Sequence, residues 1–135
     1  MQSLKTLIFV LVTLSMSISC TSQPDKKEVT NVIKSDQLEV YYFHFTRRCI
    51  TCQAVEDVAK EAVAELSSDK VSFSQYNLDN KAGTDKAKQL GVTGQTLLIV
   101  GGDTKINLTN DGFMHAKSNP EKLKQIIKEK INLFL

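Results

Sequence analysis

The sequence predicts an α/β domain in the order βαβαββα, a central mixed sheet with helices on both faces. Three observations carry this expectation. Strand-like and helix-like runs alternate from residue 38 onward. Thr96-Leu97-Leu98-Ile99-Val100 is a continuous apolar run, as expected of a strand covered on both sides. The last two strand-like runs are separated only by Gly101-Gly102-Asp103, a hairpin turn, whereas helices separate the earlier ones and demand parallel crossovers.

Each element follows from its residues. Leu38 to Phe45 is β-branched and aromatic and reads as the first strand. From Ile50 to Leu66, Val55, Val58, Ala59, Ala62, Val63 and Leu66 recur on one helical face. The opposite face carries Glu56, Asp57, Lys60, Glu61 and Glu65, and reads as solvated; Ser67-Ser68-Asp69 is a stop. Val71 to Leu78 is a second strand with Val71 and Phe73 inward and Tyr76 and Leu78 as further inward candidates, and the broken alternation at Gln75 suggests a bulge. After an Asp79-Asn80-Lys81 turn comes a short helix, Gly83 to Leu90, ended by Gly91. Lys105 to Thr109 alternates and reads as an edge strand, including Asn107-Leu108-Thr109, which also matches a glycosylation sequon. Asn119-Pro120-Glu121 opens the last helix with Pro near its first position. Leu123, Ile126, Ile127, Ile131 and Phe134 form its apolar stripe.

Composition sets the class. The chain has 135 residues, 24% charged and 41% hydrophobic, which suits one ordinary globular domain. The net charge of +2 leaves no electrostatic footprint for nucleic acid. At the N-terminus, Lys5 precedes an apolar run from Leu7 to Leu14 that Ser residues soon dilute, the pattern of a signal peptide over residues 1–19. Ser17-Ile18-Ser19-Cys20 resembles a bacterial lipobox, although Ser17 stands where Leu is commonest and Ser17-x-Ser19 also suits ordinary signal-peptidase cleavage. Three cysteines is an odd number; acylation of Cys20 would leave one pair. Residues 20–37 then form a lipidated start and polar tether, and 38–135 the domain. The protein is expected to be exported to the periplasmic side and held to the membrane by that anchor.

Cys49-Ile50-Thr51-Cys52 lies where the first strand gives way to the first helix. The helix start supplies unpaired N–H groups and the positive end of the helix dipole, which stabilise a thiolate, the nucleophilic form of the side chain. Arg47 and Arg48 add positive charge just before it. Cys49 is therefore read as the attacking sulfur and Cys52 as the resolving one. A CxxC can also be half a zinc site or two incidental thiols. Structural zinc wants four ligands, and the other N/S candidates are only His44, His115 and Cys20, with no second CxxC and no HxxxH. Redox or dithiol-ligand chemistry is the preferred reading, with Cys49 and Cys52 as the candidate ligands of any metal.

A CxxC at the end of the first strand of a βαβαββα chain resembles the thioredoxin superfamily, over roughly residues 38 to 134. The resemblance implies a thioredoxin-like fold, Cys49 as nucleophile, Cys52 as resolving cysteine, and a redox-active Cys49–Cys52 disulfide with no other cofactor. Gly91-Val92-Thr93-Gly94-Gln95-Thr96-Leu97-Leu98 resembles the family's Gly-Val/Ile-x-x-x-Pro-Thr-Leu stretch, one residue shorter. Arg48 replaces the family's usual Trp, Ile50-Thr51 its frequent Gly-Pro, and Phe43 its buried acid. The family's cis-proline is missing, and Gln95 stands about there, next to Thr96. A cis bond before a non-proline residue costs roughly 3 kcal/mol, so a trans loop is expected. That loss opens the dithiol to other ligands. His44 beside the site reads as a packed or surface strand residue, with proton shuttling as the alternative; His115 reads as solvated in the loop before the last helix.

Phe43-His44-Phe45-Thr46-Arg47-Arg48-Cys49-x-Thr51-Cys52, followed by Gly94-Gln95-Thr96, is similar to a narrower group. These are exported thioredoxin-like proteins labelled nitrophenyl-compound nitroreductase subunits and associated with arsenic-resistance gene clusters. No GxGxxG fingerprint for flavin or nicotinamide is present. Two functions follow as expectations. One is a thiol–disulfide oxidoreductase acting on a protein thiol or disulfide partner. The other is a dithiol subunit that binds a soft metalloid such as As(III) or delivers electrons to a partner reductase.

Overall fold

The computed structural model describes residues 37–135. The expected signal peptide, Cys20 and all but the last residue of the tether lie outside the described residues. The strands are β1 (Leu38–His44), β2 (Val71–Asn77), β3 (Thr96–Gly101) and β4 (Thr104–Asn107). The helices are α1 (Ile50–Glu65), α2 (Lys81–Leu90), α3 (Thr109–His115) and α4 (Pro120–Asn132). The sheet is mixed, in the order β2-β1-β3-β4.

β1 and β2 pair in parallel from Leu38↔Val71 to His44↔Asn77. The pairing runs unbroken through Tyr42↔Gln75, so the suspected bulge is absent. Gln75 keeps the alternation of Val71 and Phe73 with a polar side chain, because it meets a carboxylate of α1 rather than the core.

The expected second parallel crossover does not occur. β3 runs antiparallel to β1, with Phe43 opposite Thr96 and Leu38 opposite Gly101. Helix length explains the difference. α1 has 16 residues, about 24 Å, enough to return along a seven-residue strand of about 23 Å. α2 has 10 residues, about 15 Å, and cannot make that return. Gly91 ends it in the left-handed conformation at φ 72°, with its N–H bonded to the Ala87 and Lys88 carbonyls. The chain therefore enters β3 at the end of the sheet where it left β2.

Alternation along β1 divides the core into two layers. Leu38, Val40 and Tyr42 pack with Leu97 and Ile99 of β3, Val55, Val58, Ala59 and Ala62 of α1, and Leu123, Ile127 and Ile131 of α4. Tyr41 and Phe43 face the other way, with Leu78, Leu98 and Ala87 of α2. Among the described residues helices thus cover both faces as expected, with α2 by itself on the second. Leu123, Ile127, Ile131 and Phe134 are fully buried, each side chain contributing about 2 kcal/mol by leaving water. Lys124 Nζ lies 3.0 Å from Glu65 of α1 and 2.8 Å from Glu121, and Lys128 also pairs with Glu65, fastening α4 across α1.

The last strand is shorter than the sequence suggests, and an additional helix follows it. Asn107 Oδ1 accepts from Thr109 N at 2.9 Å and from Thr109 Oγ1 at 2.6 Å, a local turn that stops β4 before Leu108. Thr109 opens α3 instead of closing a strand, and His115 ends that helix, half-buried, rather than sitting in a solvated loop. Gly112 lets α3 lie close to Val55 of α1 and Leu97 of β3.

Candidate redox site

Cys49 is the N-cap residue of α1, with extended backbone (φ −77°, ψ 164°). Its Sγ accepts from the Cys52 N–H at 3.3 Å, the bond an oxygen-bearing cap would make. The first turn, Ile50-Thr51-Cys52, carries no acid. A negative charge on Cys49 would therefore meet the positive end of the helix unopposed by its own first turn. Cys49 and Cys52 are joined in a disulfide with Cα atoms 5.2 Å apart. Their exposure is unequal: Cys49 is exposed, whereas Cys52 retains 4% of its surface. Ile50, at the tip between them, is 70% exposed.

Tyr42, fully buried on β1, donates its hydroxyl to the Cys52 carbonyl at 2.9 Å. Burial pushes the Tyr42 phenol up to about 12, against the opposing effect of the nearby Arg48 charge. The loop between β1 and α1 is held independently. Thr46 N donates to Asp79 Oδ2 at 2.7 Å, and Asn77 Nδ2 donates to Thr46 Oγ1 at 2.9 Å. The Thr46 N–H and then its side chain hold the Asp79 carboxyl below its ordinary range.

The two arginines are placed differently. Arg47 is exposed and lines an open depression with Thr46, Arg48, Cys49 and Gln53. Arg48 folds back and forms an ion pair with Glu56. Glu56 stands one turn beyond Cys52 and belongs to the helix face expected to be solvated, yet its side chain is only 15% exposed. The Gln75 amide, oriented to satisfy both its ends, donates to Glu56 Oε2 at 3.3 Å. Arg48 also lines a second depression, with His44, Gln75, Tyr76, Asn77 and Asn80.

His44 is a packed residue: 7% exposed, stacked on Tyr42 at 6.0 Å, with Nδ1 3.0 Å from the Phe45 carbonyl. A proton on Nδ1 would be donated to that carbonyl, which can only accept. Gln95 reaches the dithiol, its Oε1 lying 3.7 Å from Cys52 Sγ. The oxidised sulfur has no proton to give, so this contact becomes a hydrogen bond only once Cys52 is a thiol. The loop that carries Gln95 is trans, as expected, and no cis peptide bond occurs among the described residues. The Thr96 hydroxyl donates to the Gly94 carbonyl at 3.0 Å. Among the described residues no three His, Cys, Asp or Glu side chains gather around a metal-sized site.

The structure places the sequence-predicted Cys49, Cys52, Arg47, Arg48 and Gln95 around one disulfide, and adds beside them Tyr42, Glu56 and Gln75, which the sequence does not single out. Tyr42 looked like any aromatic strand residue. Glu56 had one available signal: it follows Cys49 by seven positions and Cys52 by four, which puts all three on one stripe of the helix.

No protein-family model matches the sequence, and a search of curated proteins found no relative. Solved structures do resemble it. Human ERp44 aligns with a TM-score of 0.51 and 14% identity over 78% of this chain, which spans 31% of ERp44. The Drosophila melanogaster thioredoxin Deadhead aligns with a TM-score of 0.48 and 18% identity, covering 70% of this chain and 81% of Deadhead. A thioredoxin of Malassezia sympodialis gives 0.48 and 21%, covering 73% and 78%. At such identities the likeness is one of fold. With its mixed sheet of four strands and helices on both faces, the chain has a thioredoxin-like fold.

Proposed function

We propose that this chain is a thiol–disulfide oxidoreductase that works through Cys49 and Cys52. The observation that carries the reading is the unequal pair at the start of α1: an exposed capping cysteine bonded to a buried one. In the reductive direction, Cys49 thiolate attacks one sulfur of a partner disulfide. A Cys49–partner bond forms, the partner S–S bond breaks, and one partner thiolate leaves. The Cys52 thiol loses its proton to water and attacks Cys49 Sγ. The Cys49–Cys52 bond closes and the second partner thiolate leaves. Two electrons pass from the dithiol to the partner, and the departing thiolates take up protons from solvent. The oxidative direction is the reverse.

Burial of Cys52 restricts attack by outside molecules to Cys49. The test is trapping with oxidised glutathione. Cys52→Ser should accumulate a mixed disulfide at Cys49, Cys49→Ser should not, and the wild type should exchange without accumulating it. Equal labelling of the two single variants would overturn the assignment.

The exposure of Cys49 also supports a second reading, in which the reduced pair holds a soft ion such as As(III) or passes electrons to a partner reductase. A third ligand would come from solution or from the partner. The narrower motif resemblance to nitroreductase subunits favours the electron-delivery variant and rests on the motif. Loss of free thiol on titration with As(III) tests the ligand variant, and thiols that stay reactive in excess As(III) would exclude it. Export and anchoring through an acylated Cys20 complete the proposal. Cys20→Ser should release the domain from membrane fractions, and a wholly soluble wild type would contradict the anchor.

A further inference from the structure

Cys49, Cys52 and Glu56 occupy one stripe of α1, at intervals of three and four residues. Arg48, immediately before Cys49, does not extend into solvent but lies back to pair with Glu56. Arg48 lines one depression together with Cys49, and its charge opposes the burial that raises the Tyr42 phenol, whose hydroxyl holds the Cys52 carbonyl. Gln75 of β2 donates to Glu56 from the sheet, so the carboxylate has a cation on one side and an amide on the other. The pair is partly shielded, with side chains 27% and 15% exposed, so water screens it less than it would an open surface pair. Among the described residues near the site, Arg47 is exposed, Asp79 is held by Thr46, and His44 lines the same depression as Arg48.

We propose that Glu56 is a positioning residue that fixes Arg48 beside the dithiol and offsets its charge, so that the Arg48–Glu56 pair sets the reduction potential of the Cys49–Cys52 disulfide. The inference rests on the oxidoreductase reading and deepens it. The bare arginine would stabilise the Cys49 thiolate and make the disulfide a stronger oxidant. The bare carboxylate would do the opposite. Paired, they leave a moderate field whose size depends on Glu56 keeping its place.

The experiment is redox equilibration of the full chain with glutathione buffers at neutral pH, using Glu56→Gln, Arg48→Ala and the double variant. Glu56→Gln keeps the shape and the acceptor for Arg48 but removes the charge. The equilibrium constant should move at least threefold toward the dithiol, about 14 mV upward for a two-electron couple. Arg48→Ala should move it at least threefold the other way. The double variant should lie between the two. A merely structural role would lower the unfolding temperature of both single variants without opposite shifts in potential. Shifts in the same direction, or shifts under threefold, overturn the inference. If the wild-type disulfide does not equilibrate with glutathione at all, the oxidoreductase reading fails. Glu56 is then decided by the pH profile of Cys49 alkylation in the Cys52→Ser background. Adding Glu56→Gln should move that profile to lower pH, and an unmoved profile overturns the inference.

Discussion

Replacing Tyr42 by Phe removes one oxygen from the wall behind the dithiol and nothing else. The ring is fully buried in the layer formed by β1, α1 and α4, and remains so in the variant. The lost interaction is the 2.9 Å hydrogen bond to the Cys52 carbonyl. A buried bond of this kind contributes about 1 kcal/mol net. The carbonyl sits in the first turn of α1 and keeps the helix's own bonding, so the cost should stay near that figure. For a domain of about 100 residues this is a fall of about 4–8 °C in Tm. The alkaline limb gives a second, independent signature. Tyr42 titrates near 12 in the folded protein, above its ordinary 10.0. The folded state therefore binds more protons than the unfolded state between those values. The stability this supplies is complete below pH 10 and is lost as pH rises toward 12. Tyr42→Phe should flatten that decline relative to wild type. Denaturant unfolding from pH 7 to 12 reads both effects. A variant within 0.3 kcal/mol of wild type at pH 7, roughly the resolution of such comparisons, with an unchanged alkaline limb would refute the role assigned to the hydroxyl.

Other substitutions probe other parts of the account. A Cβ on Gly83 would lie 2.5 Å from the Asn77 carbonyl carbon and against its oxygen, so Gly83→Ala should cost about 1–3 kcal/mol in denaturant unfolding. Gly94→Ala meets nothing within 4 Å and should be close to neutral in the same assay. Hydrogen bonds from Lys128 and then Lys124 hold the Glu65 carboxyl below its ordinary 4.5, so its contribution is present above that pH and lost as pH falls through the folded value. Glu65→Gln should therefore flatten the acid limb of an unfolding series from pH 6 to 2. Gln95→Leu removes the acceptor 3.7 Å from Cys52 Sγ; because that acceptor favours the Cys52 thiol over the attacking thiolate, stopped-flow release of a Cys49 mixed disulfide should quicken about twofold, the low end of what a hydrogen bond supplies.

Elements with a repeating pattern were legible in the sequence. The stripe of Val55, Val58, Ala59 and Ala62 and that of Leu123, Ile127 and Ile131 are the buried faces of α1 and α4. The CxxC was legible because its position at a strand–helix junction has a physical consequence for a thiolate. Strand direction was not legible, because an intervening helix suggests a parallel return and only its length shows that α2 cannot make one. The seven-residue α3 was hidden as well. It is too short to display a period, contains Gly112, and starts within an Asn-Leu-Thr sequence that alternates like a strand. Glu56 and Gln75 were read against the wrong background. Glu56 looks solvated, and Gln75 looks like the break of a bulge, until the partner from the other element is known, and here each meets the other.

The central claim is that Cys49 is an activated nucleophile at the start of α1. The measurement that tests it most directly is the alkylation rate of Cys49 against pH in a Cys52→Ser variant. Uncharged alkylating reagent should be used, so that the rate follows the thiolate fraction. The helix start and Arg47 place the half-maximal rate clearly below the ordinary thiol value of about 8.5. A rate that rises only above pH 8, as for an unperturbed thiol, would contradict the account.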